Sequence, residues 1–174
     1  MGTPSLEALR QVVGALQAGG VEVALGGSGL LYSLGLGDSV RDWDLTTDAP
    51  REAVEQALAR FDWHEAPFGD GPFRSAYRLS VQVGGAEIDL MGQFAIEAVH
   101  LPTIVTGEWQ GVPVGSPEVW AVAYRLMERT PKADLLDRYL REQGARTFAV
   151  ELLLREELNP NIRGQIASWP LVMS

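Results

Sequence analysis

The 174-residue chain has no cysteine, which excludes disulfide staples and thiolate metal sites and permits a reducing compartment. Long hydrophobic runs are also missing: no stretch approaches the roughly 20 apolar residues that cross a bilayer. The early segment Ser5 to Ala18 is amphipathic, unlike the uniform apolar core of a leader sequence. These absences predict a cytoplasmic protein. Positive charge is scarce as well, with 14 basic against 23 acidic residues, a formal charge of −9 and no basic run. A surface of that sign repels tRNA and other long nucleic acids, while a small anionic ligand carried with Mg²⁺ remains compatible with it. The two histidines, His64 and His100, are far apart without ligand spacing and read as structural or surface residues. The five tryptophans form no stacking array, and Trp43 reads as core.

What is present suits one globular unit: 46% hydrophobic and 21% charged residues over a length sufficient for a true core. Leu6, Leu9, Val13 and Leu16 fall at helical spacing, and Gly19-Gly20 ends that helix. Val21 to Leu25 predicts a buried strand closed by Gly26-Gly27, after which Ser28 would cap a short helix over Leu30 to Leu36. A strand carrying Asp42 and Asp44 follows. Asp48 is expected to cap the next helix, with Pro50 in its first turn and Ala53, Leu58 and Phe61 facing inward. Pro67 to Pro72 reads as loop, Arg74 to Val83 as a strand, Gly84-Gly85 as a hairpin turn and Ala86 to Met91 as the return strand. Two short strands are expected at Thr103–Thr106 and Val112–Val114. Ser116-Pro117-Glu118 then starts a helix, Pro131 opens a second that runs to Gly144, Thr147 to Leu158 makes a third, and Asn159 to Ser174 reads as irregular. The pattern predicts an α+β core over residues 1–115 and a helical segment over 116–174 packed on it, with no repeat or low-complexity linker.

Three carboxylates stand out. Residues i and i+2 of a strand share a face, so Asp42 and Asp44 in Arg41-Asp42-Trp43-Asp44-Leu45 should point together, with Trp43 and Leu45 facing the core. Adjacent carboxylates repel unless protons, cations or a metal neutralise them. Asp89, in the strand-like Ile88-Asp89-Leu90, would complete an all-oxygen site suited to Mg²⁺ or Mn²⁺. All three are expected to converge on a common point. On the same alternation Arg41 would face away from Asp42, while Arg74 and Arg78 would share a face of their strand.

The order of these pieces resembles the nucleotidyltransferase superfamily, the fold of DNA polymerase β, CCA-adding enzymes, poly(A) polymerases and aminoglycoside nucleotidyltransferases. The segment Arg41 to Val54, with its Asp-x-Asp strand and Thr47-Asp48-Ala49-Pro50 turn, is similar to the head of CCA-adding and poly(A) polymerases. Gly111 to Glu118 and Lys132 to Leu136 resemble the later part of small bacterial nucleotidyltransferase-like proteins. The resemblance covers roughly residues 20–143 and implies a mixed sheet flanked by helices. It further implies Asp42, Asp44 and Asp89 as catalytic metal ligands for Mg²⁺ or Mn²⁺. Gly26, Gly27, Ser28, Arg74, Arg78 and Lys132 would bind the nucleotide. The implied reaction moves a nucleoside monophosphate from an NTP to a hydroxyl.

Some features depart from that family. Leu30-Leu31-Tyr32-Ser33 stands where CCA-adding enzymes carry an Arg-Asp pair, and the long downstream helical domains that hold tRNA are missing. With the acidic balance, this favours a small-molecule or protein acceptor over tRNA. The main alternative is a non-catalytic member of the fold that binds a nucleotide or a partner protein, as in a toxin–antitoxin pair. Asp42 to Thr46 also spells the Asp-x-Asp-x-Thr signature of haloacid-dehalogenase-type phosphatases, but those place a hydrophobic strand directly before the nucleophile. Gly37-Asp38-Ser39-Val40-Arg41 is poor strand material.

Overall fold

The computed structural model describes residues 4–67 and 71–172. In chain order its elements begin α1 (Leu6–Ala18), β1 (Ala24–Gly26), α2 (Gly27–Ser33), β2 (Trp43–Thr47) and α3 (Arg51–Ala57). Then come β3 (Asp62–Glu65), β4 (Tyr77–Val83), β5 (Ala86–Gly92), β6 (Ala95–Ile96), β7 (Val99–His100), β8 (Gly107–Trp109) and β9 (Val112–Val114). The chain continues with α4 (Pro117–Leu126), α5 (Thr130–Gln143), β10 (Ala145–Arg146), α6 (Thr147–Leu154), α7 (Pro160–Ser168) and β11 (Leu171–Val172).

Seven strands form one mixed sheet in the order β3-β4-β5-β2-β1-β9-β8. Its centre is the parallel pair β2–β5, with β1 antiparallel to β2 and β4 antiparallel to β5. Alternation along β2 sends Trp43 and Leu45, both fully buried, to one face of the sheet. There Trp43 donates its indole N–H to the Ser5 carbonyl at the start of α1 (3.0 Å). Asp44 consequently faces the other side, which α4 covers: Trp120 of α4 stacks on Phe94 with ring centroids 5.1 Å apart. The mixed α+β architecture and the hairpin at Gly84-Gly85 agree with the expectation from the sequence.

Several boundaries differ, each for a physical reason. The strand expected from Val21 pairs only from Ala24, because Val21 and Val23 are buried by packing rather than by sheet hydrogen bonds. Helix α2 starts at Gly27 with Gly26 as its N-cap, so Ser28 lies inside the first turn and caps nothing. Asp48 does not cap α3 either. Its carboxylate accepts the Thr103 amide (2.9 Å) and meets His100 Nε2 (3.2 Å), fastening the β7–β8 connection. Strand β4 begins at Tyr77, so Arg74 lies before it and does not share a strand face with Arg78. Strand β3, too polar to stand out, is held by full pairing with β4. The strand expected at Thr103–Thr106 sits later, at Gly107–Trp109, where a two-residue turn at Gln110-Gly111, both with positive φ, sets the register with β9. The loop expected at Pro67 to Pro72 lies partly outside the described residues.

The final segment is more ordered than its prolines suggested. Pro160 occupies the first turn of α7, where no amide donor is needed, and the Asn159 side chain caps Ile162 N (2.9 Å). Helix α6 ends at Leu154 rather than 158. The Trp169 indole donates to the buried Asp137 carboxylate at 2.7 Å. No helix among the described residues is long and apolar enough to cross a membrane.

Within the helical segment α4 is tied to β10 by Glu118, which is fully buried near the N-terminus of α4. Its carboxylate accepts the Ser116 hydroxyl (2.8 Å) and the Arg146 amide (2.7 Å), with the Arg146 guanidinium 3.7 Å away. A buried carboxylate persists only with such partners. Glu118→Ala orphans the Arg146 amide and should lower unfolding free energy by about 2–3 kcal/mol, whereas Glu118→Gln, whose one amide oxygen can still accept the Arg146 amide while its NH2 donates to the Ser116 hydroxyl, should cost less. Urea unfolding of the three proteins measures the difference.

Candidate functional site

The register of β2 with β5 builds the site. Asp44 is the direct partner of Asp89 in this parallel pair, so the two carboxylates stand side by side on the face opposite Trp43. Asp42 precedes β2, is exposed, and lines the same pocket from the loop. The expectation that Asp42 and Asp44 share one strand face is thus corrected: the chain is not yet a strand at residue 42. The same boundary overturns the expectation for Arg41, which lines the pocket beside Asp42 instead of facing away. It also removes the phosphatase reading, since no hydrophobic strand leads into Asp42.

The pocket has a volume of about 310 Å³, at the small end of the roughly 300–1,000 Å³ typical of ligand cavities. Its floor is Asp44 and Asp89, and its apolar wall includes Phe73, Met91, Trp120 and Met127. Four cations line it, Arg41, Arg78, Arg129 and Lys132, against three carboxylates. Among the described residues Arg41, Arg129 and Lys132 make no ion pair. Lys132 Nζ sits 5.5 Å from the centre of the Tyr124 ring. Burial, with the neighbouring charges of Arg129 and Arg41, holds its ammonium below the usual lysine range.

The expected nucleotide-binding residues divide. Gly27, Ser28, Arg78 and Lys132 all line the pocket. Gly26 does not, and a side chain there would run into the Trp120 indole. At Gly27, with φ +57°, a Cβ would lie 2.6 Å from Asp44 Oδ2. Both glycines therefore have a local reason: one admits Trp120 and the other admits the Asp44 carboxylate. Arg74 stands outside the pocket, its guanidinium donating to the Gly71 (2.7 Å) and Phe73 (2.9 Å) carbonyls. Sequence reasoning passed over Trp120, Tyr124, Met127 and Arg129; their helical spacing gives apolar and polar faces but does not tell which one meets the acids.

The electrostatics are those of crowded acids. Burial, then the charges of Asp89 and Asp42, push the Asp44 carboxyl up to about 7, while Arg78 and Lys132 oppose the rise. Asp89 is raised too, chiefly by burial, against the pull of Arg78, whose Nη2 lies 3.2 Å from Asp89 Oδ2. Asp89 Oδ1 is buried without a hydrogen-bond partner, alone among the described side chains. Oxygen-only donors and an unpartnered carboxylate oxygen suit a hard divalent cation. Among the described residues no three acidic or histidine side chains are gathered tightly enough to enclose one, so the fit rests on Asp44 and Asp89, with Asp42 at the rim.

No protein-family profile matches the chain, and no curated protein does. Solved structures do. A candidate nucleotidyltransferase from Thermotoga maritima is 23% identical, with 79% of this chain and 92% of that one aligned at a TM-score of 0.52. The antibiotic-resistance factor ANT(2'')-Ia in solution is 15% identical over 93% of this chain and 95% of that one, TM-score 0.56. Its crystal structure with adenylyl-2''-tobramycin aligns at 13% identity over 92% and 93%, TM-score 0.55. The chain has the nucleotidyltransferase-superfamily fold.

Asp44 also gives a pH signature. Its carboxyl is raised in the folded state to about 7 from 3.8, so the folded protein holds this proton more firmly than the unfolded chain. That contribution is complete below pH 4 and is lost as pH rises towards 7. In EDTA, Asp44→Asn should melt at the wild-type temperature near pH 4, and above it by a margin that opens up to pH 7 and stays constant beyond. Thermal unfolding across pH 4–8 reads this directly.

Proposed function

We propose that this pocket binds a nucleoside triphosphate with a divalent metal and transfers the nucleoside monophosphate to a hydroxyl of a small molecule or protein. The observation that carries the reading is the register-matched Asp44–Asp89 pair, with Asp89 Oδ1 unpartnered, in a pocket also lined by Arg41, Arg129 and Lys132, which make no ion pair among the described residues. The fold and its neighbours support it, since ANT(2'')-Ia has been solved with an adenylylated small molecule, adenylyl-2''-tobramycin.

Asp44 and Asp89, with Asp42 at the rim, would hold Mg²⁺ or Mn²⁺, which when bound stabilises charge on the attacking and leaving oxygens. The protein's own groups do the rest. The Ser28 hydroxyl with Lys132, Arg41 and Arg129 would hold the phosphates, and Trp120 and Met127 would cover the nucleotide and exclude water. The acceptor oxygen attacks the α-phosphorus in line, a new P–O bond forms, and the α–β bridging bond breaks to release pyrophosphate. We assign the acceptor's proton to the Asp89 carboxylate, whose proton affinity burial raises.

Pyrophosphate release from each NTP with Mg²⁺ tests the reaction, and Asp44→Asn should abolish it. Lys132→Ala should raise KM for the NTP about tenfold or more with little change in kcat, as expected for lost phosphate binding. NTP-dependent thermal stabilisation without pyrophosphate release would instead assign a nucleotide-binding role without catalysis. No metal-dependent stabilisation by any NTP would refute the proposal outright.

A further inference from the structure

Strands β4 and β5 pair so that Ser80 faces Asp89 and Arg78 faces Met91. Arg78 is therefore a diagonal neighbour of Asp89 on the acidic face, within reach of a long side chain. Its guanidinium is anchored at two points: Nη2 lies 3.2 Å from Asp89 Oδ2, and Nη1 donates to the Pro67 carbonyl at 3.2 Å. A finished structural Arg–carboxylate pair is commonly bidentate and satisfies both oxygens. Here only one is taken, and Oδ1 of this register partner of Asp44 stays buried and unpartnered. Arg78 is also about one-third exposed and lines the pocket.

The geometry points to Arg78 as a resident counter-ion of the Asp44–Asp89 pair, a positioning residue that holds Asp89 in place before a divalent cation arrives and limits how tightly that cation binds. The inference rests on the metal-binding reading of these carboxylates. One positive charge cannot favour both states equally. Without metal it relieves repulsion between two half-buried carboxylates and fixes the Asp89 side chain. With metal it stands beside a second, larger positive charge and keeps hold of Oδ2. Arg78 therefore stabilises the metal-free protein while weakening cation binding. A residue that only braced the β4–β5 pair would lower stability on removal without tightening metal binding. A residue needed to shape the site would weaken metal binding on removal.

The test is Mn²⁺ titration without nucleotide, followed by electron paramagnetic resonance, on wild type, Arg78→Gln and Arg78→Lys, with melting temperatures in EDTA. Arg78→Gln should melt lower in EDTA and bind Mn²⁺ about tenfold or more tightly, the scale of removing one nearby like charge. Arg78→Lys, which keeps the charge, should stay within about threefold of wild type. Arg78→Met, which preserves side-chain bulk, replaces Arg78→Gln if the latter does not fold, with the same expectation. Unchanged or weaker Mn²⁺ binding by the neutral variant overturns the counter-ion role. Nucleotide transfer by wild type is measured separately. Transfer without tighter Mn²⁺ binding in the variant refutes only the role of Arg78, and tighter binding without transfer refutes only the proposed reaction.

Discussion

The arrangement depends on two carboxylates forced side by side in the middle of a sheet. Parallel pairing of β2 with β5 makes Asp44 and Asp89 direct neighbours, and the fully buried Trp43, Leu45, Ile88 and Leu90 on either side in sequence leave the register no freedom. A slip of one residue would bury the acids under α1 and expose the core. The hydrophobic effect thus holds together charges that would separate if left free. The cost appears as an Asp44 carboxyl raised to about 7 and an Asp89 oxygen without a partner. A buried unpartnered oxygen, alone among the described side chains, is the kind of local deficit that a ligand relieves.

Surrounding groups answer that concentration of negative charge from three directions. Arg78 comes from the neighbouring strand, Arg41 from the loop before β2, and Arg129 and Lys132 from the turn and first residues leading into α5. Of these four, Arg78 alone is paired with an acid among the described residues. Among the described residues the others make no ion pair, and the lowered proton affinity of Lys132 reflects its burial first and then the nearby charges of Arg129 and Arg41. A chain with net charge −9 therefore concentrates positive charge at a pocket where acids are also gathered. Anions and divalent cations can enter such a site together more readily than either alone, because each screens the charges that repel the other.

Much of this was legible in the sequence, and what was not has identifiable causes. Trp43 as core, the helix start at Ser116 and the hairpin at Gly84-Gly85 rest on local chemistry: alternation, a capping serine and glycine's access to positive φ. The acids could be singled out because their spacing in a strand-like context is unusual. Arg41 and Arg74 went the other way because both arguments needed a strand to extend two or three residues beyond its true start. A strand end is set by its partner's length, which no window of sequence contains. Asp48 carried the signature of a helix cap, yet its carboxylate is used by Thr103 and His100, more than fifty residues later. Helix α7 was hidden by prolines that in fact occupy its first turn and the position after its end.

The Gly26-Gly27 turn joins these threads. Glycines ahead of an Asp-x-Asp strand suggest that the backbone must approach a phosphate. In the folded chain each glycine already has an occupant opposite it, Trp120 from α4 and the Asp44 carboxylate from β2. Residues 116–174 are therefore more than an appendage: α4 sets its indole against the turn that precedes the acids, and Glu118 keys that helix to Arg146. The turn's backbone, the acid pair and the helical wall constrain one another, so none can shift without opening a void or a clash. A site in which the backbone is pinned by packing rather than by its ligand is preorganised. Bound phosphate would then add its interactions without first having to order the turn, and that spares the entropy of ordering a loop on binding.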